Sequence, residues 1–453
     1  MLISRSFFFA TALSALSPDA AAASAPACAN ATGLTLPKGF CATVFADKIG
    51  HARHLTVAGN GVVYVNTWGR HGDVERGGFL VALQDTTGSG TANVIKRFGV
   101  AGGVGGTGIA LYRGAIYAEN QDRIERYALS AGAIAPTGPP QIVVSGLPLT
   151  GDHPMHPFVI DADGKLYVDV ASATNACQQR NRMPQTPGNQ PCLELQTRGG
   201  IWRYDAARTN QKFSPAERFA TGIRNADGIT VDASGRDIFA TQHGRDQLHE
   251  NWPKLYRPEQ EATLPAEELL RVREGGDYGW PECYFDEVQG KLVLAPEYGG
   301  DGGKAVGVCA DKRAPVASFP AHWAPNDVVI YTGASFPERY RNGAFIAFHG
   351  SWDRAPYPQG GYNVVFQPLR DGAAAGRCEV FADGFAGAVK QPSGADHRPS
   401  GVAVAPDGAL FVSDDSHGRI YRITYQGAAL ESGAAFTPCP PVDAPAGAPS
   451  AGN

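Results

Sequence analysis

"HPFVIDADGKLYVDV", residues 156–170, decides the fold. Apolar and polar positions alternate on both sides of "DADG". Each arm therefore has the two-residue period of a half-buried strand. Asp163-Gly164 supplies the tight turn that joins alternating runs into a β-hairpin. The same pattern recurs in "HLTVAGNGVVYVNT" (54–67), "TGIALYRGAIYAEN" (107–120) and "DGITVDASGRDIFATQ" (227–242). It returns in "ERYRNGAFIAFHGS" (338–351) and "SGVAVAPDGALFVSDD" (400–415). Further alternating strands follow, among them "RIERYAL", "GGIWRYD", "ELLRVR", "YNVVFQPL" and "RIYRITY". Six diverged hairpins with trailing strands predict an all-β, six-bladed β-propeller with four-stranded blades. A pair of β-sandwiches and a seven-bladed propeller are the alternatives. Turn spacing is widest between the fourth and fifth copies, so residues 245–325 are expected to hold loop insertions, including a helix-like stretch at "PAEELLRV".

Composition agrees with many short elements joined by turns. The 453 residues include 56 Gly and 33 Pro, too many punctuators for long helices. The net charge of −5 gives no general attraction to nucleic acid or anionic lipid. No apolar run reaches membrane-spanning length.

The amino terminus reads as a secretory signal over residues 1–25. Arg5 precedes the short apolar run "SFFFATALSALS", and "AAASA" offers small residues for cleavage near Ala25. A periplasmic or secreted location follows. Eight cysteines then read as disulfides. Cys28 and Cys41, Cys177 and Cys192, and Cys283 and Cys309 are near neighbours, leaving Cys378 and Cys439. Spacing alone does not fix the connectivity. There is no CxxC for zinc and no CxxCH for a covalently held haem. The propeller is placed at 26–435 as one domain, with a Pro/Ala-rich tail at 436–453.

In a propeller, residues just before each innermost strand gather at one mouth of the central channel. Asp152 and His153 in "TGDHPMHP" hold that position in the third repeat. Arg224 and Asn225 in "GIRNADGI" hold it in the fourth, and Arg398 in "DHRPSGV" in the sixth. The stretches "TQHGRDQ" (241–247) and "FHGSWDR" (348–354) follow second strands and arrive at the same end. A lone surface arginine usually makes a local salt bridge. Arg224 and Arg398 at equivalent positions instead favour a shared anionic ligand, which suits their planar fork. A histidine titrates near neutrality and can take a hydroxyl proton, so His153 is the candidate base. His156, followed by Pro157, reads as packing. A zinc site from Asp152, His153 and His156 is not expected, since no further strong ligand stands nearby.

Taken together and in order, these motifs, with "GGDYGWPECY" and "HGSWDRAPYPQGGYNVV", resemble the soluble PQQ-dependent sugar dehydrogenases, and their L-sorbosone/aldose-sugar dehydrogenase-like branch in particular. The resemblance covers nearly all of the chain after residue 25. It implies a secreted propeller carrying pyrroloquinoline quinone (PQQ) and Ca²⁺ at the channel mouth, a small sugar as substrate, and a separate electron acceptor. It makes His153 the base for the sugar C1 hydroxyl, with Asp152 the adjacent acid of that motif. Arg224 and Asn225 would hold the quinone, Arg224 near its reactive carbonyls, and Arg398 would bind a quinone carboxylate. Gly244 and Arg245 would offer carbonyl oxygens to Ca²⁺, a hard cation. Tyr278 and Trp280 resemble a wall beside the pocket. The chain departs from the glucose-oxidising members at three points. Ser172 stands where a carboxylate orients the histidine, and Asp169 has the wrong strand parity to replace it. Arg354 stands in for a missing cofactor lysine. Ser400 replaces a second arginine near Arg398. A metal-dependent lactonase-like hydrolase, using Asn225 and acids such as Asp414, and a non-catalytic propeller that binds a glycan or protein are the competing functions.

Overall fold

A computed structural model describes residues 1, 32–69, 78–99, 105–427 and 437–440. The expected signal segment after residue 1, Cys28 and most of the tail lie outside these residues. Six sheets, each with four antiparallel strands, form the blades of a propeller, and the second gains a short fifth strand, Gln211–Lys212, paired parallel to its outermost strand. The first contains Ala52–Val57, Val63–Thr67, Leu80–Gln84 and Val94–Phe98, and the second Ile109–Tyr112, Ala115–Asn120, Arg123–Ala128 and Gln141–Ser145. The third contains Phe158–Ile160, Lys165–Val170, Gly200–Asp205 and Arg218–Thr221, and the fourth Ile229–Val231, Ile238–Gln242, Glu267–Val272 and Ala317–Phe319. The fifth contains Pro325–Ile330, Ala344–Phe348, Asn363–Gln367 and Glu379–Ala382. The sixth takes Pro399–Val404, Leu410–Asp414 and Ile420–Tyr425 from the end of the chain and closes with Phe40–Ala46 from its beginning. That closure pairs Phe40 with Tyr425 and Val44 with Tyr421, so the ring is locked by hydrogen bonds rather than left with two open edges.

The innermost strands neighbour one another around the ring. Apolar side chains pack between blades. Between the fifth and sixth, Phe40 meets Phe336, Phe381 and Tyr340 edge-on at centroid distances of 4.8, 5.0 and 5.4 Å. This geometry favours aromatic quadrupoles and fills the wedge between two twisted sheets. Disulfides join Cys177 to Cys192, Cys283 to Cys309 and Cys378 to Cys439. Cys41 is also disulfide-bonded. Pro438 bridges Glu379, so residues 437–440 run along the fifth blade.

Two expectations are corrected. The innermost strand of the fifth blade is Pro325–Ile330, ahead of the stretch 338–351, which supplies only the second strand, Ala344–Phe348. The intervening Glu338–Tyr340 is a single 3₁₀ turn. "PAEELLRV" is not helical: Glu267–Val272 is a strand between Ile238–Gln242 and Ala317–Phe319. Sheet pairing overrides the helical preference of Ala, Glu and Leu. The two short α-helices among the described residues are Leu248–Asn251 and Pro258–Thr263, inside the expected insertion, as is the extra hairpin of Cys283–Asp286 and Lys291–Leu294. No helix of the described residues is long and apolar enough to cross a membrane.

Candidate active site

In an antiparallel hairpin the start of the first strand and the end of the second lie at the same end. The loops before the inner strands and after the second strands therefore converge. They enclose a cavity of about 320 Å³ at the channel mouth. His153, Asp152, Arg224, Asn225, Gly244 and Arg398 all line it.

His153 is placed by its neighbours on the third blade. Gly151 has φ 101°, and a Cβ there would lie 2.4 Å from Ala173 Cα, so only glycine lets this loop close against the end of the second strand. The Asp152 amide then donates to Ala173 O at 2.9 Å. His153 Nδ1 comes to 2.9 Å from Ser172 O and 3.0 Å from Ser172 Oγ. Ser172 Oγ itself donates to Thr174 O at 2.7 Å. Both Ser172 oxygens thus act as acceptors, which puts the hydrogen on Nδ1 and the basic lone pair on Nε2. Burial, with the Arg224 guanidinium next, holds His153 well below the ordinary histidine value, so the ring is a neutral base at physiological pH. Asp169 points elsewhere, as its strand parity requires: it is buried and accepts the Ala226 amide at 3.2 Å.

Arg224 is held on every side. Nε donates to Asn175 O, Nη1 to Gly244 O and Nη2 to Asn175 Oδ1, each at 3.0 Å. Nη2 also pairs with Asp246 Oδ2 at 2.9 Å. Burial opposes ionisation of Asp246, but Arg224 and Arg182 bring it down to about 2. The Asn225 side chain lines the cavity and makes no hydrogen bond among the described residues. The Arg398 guanidinium donates only to carbonyls, His349 O at 3.1 Å and Gly350 O at 3.0 Å, and has no carboxylate within ion-pair distance among the described residues. Its charge is available to an anion.

Asp152 bonds to neither nitrogen of His153. Its carboxylate pairs with Arg182 Nε at 2.9 Å and accepts from Asn181. Arg182 also pairs with Asp246, so this chain of charges ties the Cys177–Cys192 loop to the cavity wall. Two arginine side chains from these loops do not reach the cavity. Arg245 turns away and pairs with both oxygens of Glu297 at 2.6 Å. Arg354 donates to the carbonyls of Ala262, Ala321 and Pro358. Trp280 is buried, donates to Asn175 O at 3.0 Å and faces a separate, minute cavity. His156 is scaffold, with 1% of its surface exposed and Nε2 3.0 Å from Pro148 O.

The structure adds residues. Arg53 opens the innermost strand of the first blade and reaches Asp415 at 2.8 Å and Asp227 at 3.2 Å. Its position matches the pre-strand rule, applied above only to the third, fourth and sixth repeats. His349 Nε2 pairs with Asp415 Oδ1 at 2.8 Å. Trp352 stands at the rim, 51% exposed, with the Arg182 guanidinium 6.0 Å from its ring centre. Glu267 accepts the Gly244 and Ala324 amides, and burial pushes its carboxyl up to about 8.

Fold and cavity together define a six-bladed propeller with a polar, arginine-rich pocket at one channel mouth. The chain belongs to the TrAA12-like family, whose pattern matches residues 34–426. It is 27% identical over 222 residues to an uncharacterized protein of Borreliella burgdorferi, the match covering 48% of this chain and 51% of that one. It is 26% identical over 236 residues to a pyrroloquinoline quinone-dependent pyranose dehydrogenase of Coprinopsis cinerea, covering 45% of this chain and 30% of the relative. These matches therefore span 51% and 30% of the two curated relatives' lengths. In fold, the chain is similar to the holo form of the pyranose dehydrogenase PQQ domain from Coprinopsis cinerea, with a TM-score of 0.68, 19% identity, and 86% and 97% of the two chains covered. A calcium structure of a Trichoderma reesei family AA12 protein gives 0.68 at 20% identity, covering 87% and 97%.

Proposed function

We propose that this protein is a PQQ-dependent oxidoreductase acting on an aldose or an aldehyde sugar of the sorbosone type. The observation that carries the reading is the pairing of two features in one cavity. A neutral histidine has its basic Nε2 fixed by Ser172. Opposite polar chemistry is supplied by an arginine, Arg398, without a carboxylate partner. A tricarboxylate would fit such a wall: Arg398 and Arg53 would hold carboxylates, Arg224 and Asn225 would hold ring carbonyls, and Arg53 Nε is a buried donor still without a partner. The Gly244 carbonyl lines the cavity and already accepts from Arg224, leaving its second lone pair for Ca²⁺. In this proposal the Arg245 carbonyl completes that pair of ligands, its side chain being turned away. The names of the Coprinopsis relative and of a Trichoderma relative, a pyrroloquinoline quinone-dependent sugar dehydrogenase, support the same class.

The quinone, when bound, supplies the acceptor for the hydride leaving the sugar C1. The chain does the rest. His153 Nε2 takes the C1 hydroxyl proton, the arginines fix the cofactor, and the rim at Trp352 admits the sugar. Electrons leave to a separate acceptor. Export to the periplasm or exterior is part of the proposal and agrees with the disulfides. The test is titration of quinone-free protein with PQQ and Ca²⁺ by absorbance and calorimetry, then a redox-dye assay over a panel of sugars. Absence of quinone binding would sink the reading. Binding without turnover of any sugar would move it to a ligand-binding propeller.

A further inference from the structure

In the cavity wall, where Asp246 and His322 line it, three side chains turn acceptor atoms toward one another. His322 Nε2 lies 2.7 Å from Glu261 O and 3.1 Å from Leu264 O. Carbonyls only accept, so Nε2 carries the hydrogen and Nδ1 a lone pair. That lone pair faces Asp246 Oδ1 and Asp353 Oδ2, each 3.9 Å away. The His322 side chain is only 3% exposed and its Nδ1 has no hydrogen-bond donor among the described residues. Two carboxylates and an imidazole lone pair thus converge, with nothing positive between them.

We propose that Asp246, His322 and Asp353 form a binding site for a divalent cation of the Zn²⁺ or Mn²⁺ type. The three ligand atoms lie within 4.8 Å of one another. A cation at about 2.0–2.2 Å from each needs them roughly 3.0–3.6 Å apart, so the side chains draw together by between a few tenths of an ångström and about 1 Å. A nitrogen with two carboxylate oxygens favours a borderline metal over Ca²⁺, which takes oxygen alone. This set differs in kind from the backbone carbonyls at Gly244 and Arg245. The far oxygen of Asp246 stays with Arg182 and Arg224. Their positive charge opposes the cation, and Glu250 and Glu261, grouped with Asp353, offset it. The Gln247 amide already donates to Asp353 Oδ2 at 2.7 Å and orients that carboxylate.

Such an ion would staple the loop after Ile238–Gln242 to the loop after Ala344–Phe348. It would thereby fix both Asp246, the partner of Arg224, and the segment bearing Trp352. The site does not depend on the quinone, so it is tested on quinone-free, chelator-treated protein. Calorimetry with Zn²⁺, Mn²⁺ and Ca²⁺ is expected to show one equivalent of Zn²⁺ or Mn²⁺ bound more tightly than Ca²⁺. Asp353→Asn keeps an acceptor for the Gln247 amide, and His322→Gln keeps a donor for the two carbonyls. Each is expected to weaken binding at least about 10-fold. Circular dichroism separates loss of a ligand from loss of the fold, and if His322→Gln does not fold, Asp353→Asn decides alone. No stoichiometric binding by the wild type, or binding that a folded Asp353→Asn retains in full, overturns the proposal.

Discussion

Two of the four histidines lining the cavity, on different blades, are supported in opposite ways. His153 on the third blade rests on a carbonyl and a hydroxyl, both neutral. His349 on the fifth rests on Asp415, which it shares with Arg53. Burial favours the neutral form of both rings. At His349 a directly hydrogen-bonded anion, Asp415, works the other way, whereas at His153 the more remote Asp246 is outweighed by burial and Arg224. Burial of Asp415 is itself overcome by His349 and Arg53, which keep that carboxyl well below its usual range. The contrast divides the labour of the cavity. The third blade presents a lone pair with no charge behind it, and the fifth and sixth present a charged wall. A serine at position 172 is therefore compatible with a base, because orientation needs only an acceptor on Nδ1, and neutrality keeps Nε2 free of a proton.

The largest test removes the lone pair. His153→Ala is expected to lower turnover by roughly 10²–10⁴-fold, the usual weight of a general base, with quinone affinity little changed. Equal losses in turnover and in quinone binding would mean that the ring belongs to the wall rather than to the chemistry. Next in size is the wall itself. Arg398→Ala removes a charged donor that has no carboxylate partner of its own. It should weaken quinone binding by about 10–100-fold in calorimetry, as expected for a charge-assisted hydrogen bond. Unchanged affinity would place the anion elsewhere.

The contrast can also be erased. Ser172→Asp gives the third blade the arrangement of the fifth. A carboxylate beside Nδ1 stabilises the imidazolium, so the acid limb of kcat/KM should move upward by roughly 1–3 pH units. The sign follows from the base being active only when unprotonated: the wild type, depressed by burial, stays active into acid, and the variant loses activity there first. Ser172→Ala keeps the backbone acceptor and loses only Oγ, so a few-fold drop in turnover without a shifted limb is expected. A profile that does not move in Ser172→Asp would show that His153 does not set it.

The same contrast explains what could be read in advance. Glycine-containing turns between alternating runs announce five of the six innermost hairpins, three of them through Asn-Gly or Asp-Gly, because those turns are local chemistry. The fifth was displaced because its inner strand, Pro325–Ile330, is joined to the next by a connection containing a 3₁₀ turn instead of a tight turn. His153, Arg224, Asn225 and Arg398 were legible because position relative to a strand fixes which end of the channel a residue reaches. Arg53 obeys the same rule. His349, Glu267 and Asp415 were not singled out, because their importance lies in partners from other blades, which no local pattern reports. Arg245 and Arg354 sit in the right loops, yet Glu297 and three carbonyls from the insertion and neighbouring loops draw them aside.

The smallest expected effect lies one strand behind the cavity, where helix-preferring residues were drawn into a sheet. Glu268 is 2% exposed, its Oε2 has no hydrogen-bond partner, and burial pushes it up to about 8. In the unfolded chain it titrates near 4.5. Its folded-state pKa is therefore raised, so the folded state binds the extra proton. Its contribution to stability is complete below about 4.5 and is lost as pH rises through 8. Glu268→Gln has no proton to lose. Its Tm should fall less than the wild type's between pH 5 and pH 9, by about 1–3 °C in a thermal scan. Glu267, raised in the same direction by the same burial, keeps part of the alkaline loss in the variant. Parallel scans for the two proteins would mean that Glu268 is already ionised in the folded state, and that water reaches a strand the sheet otherwise buries.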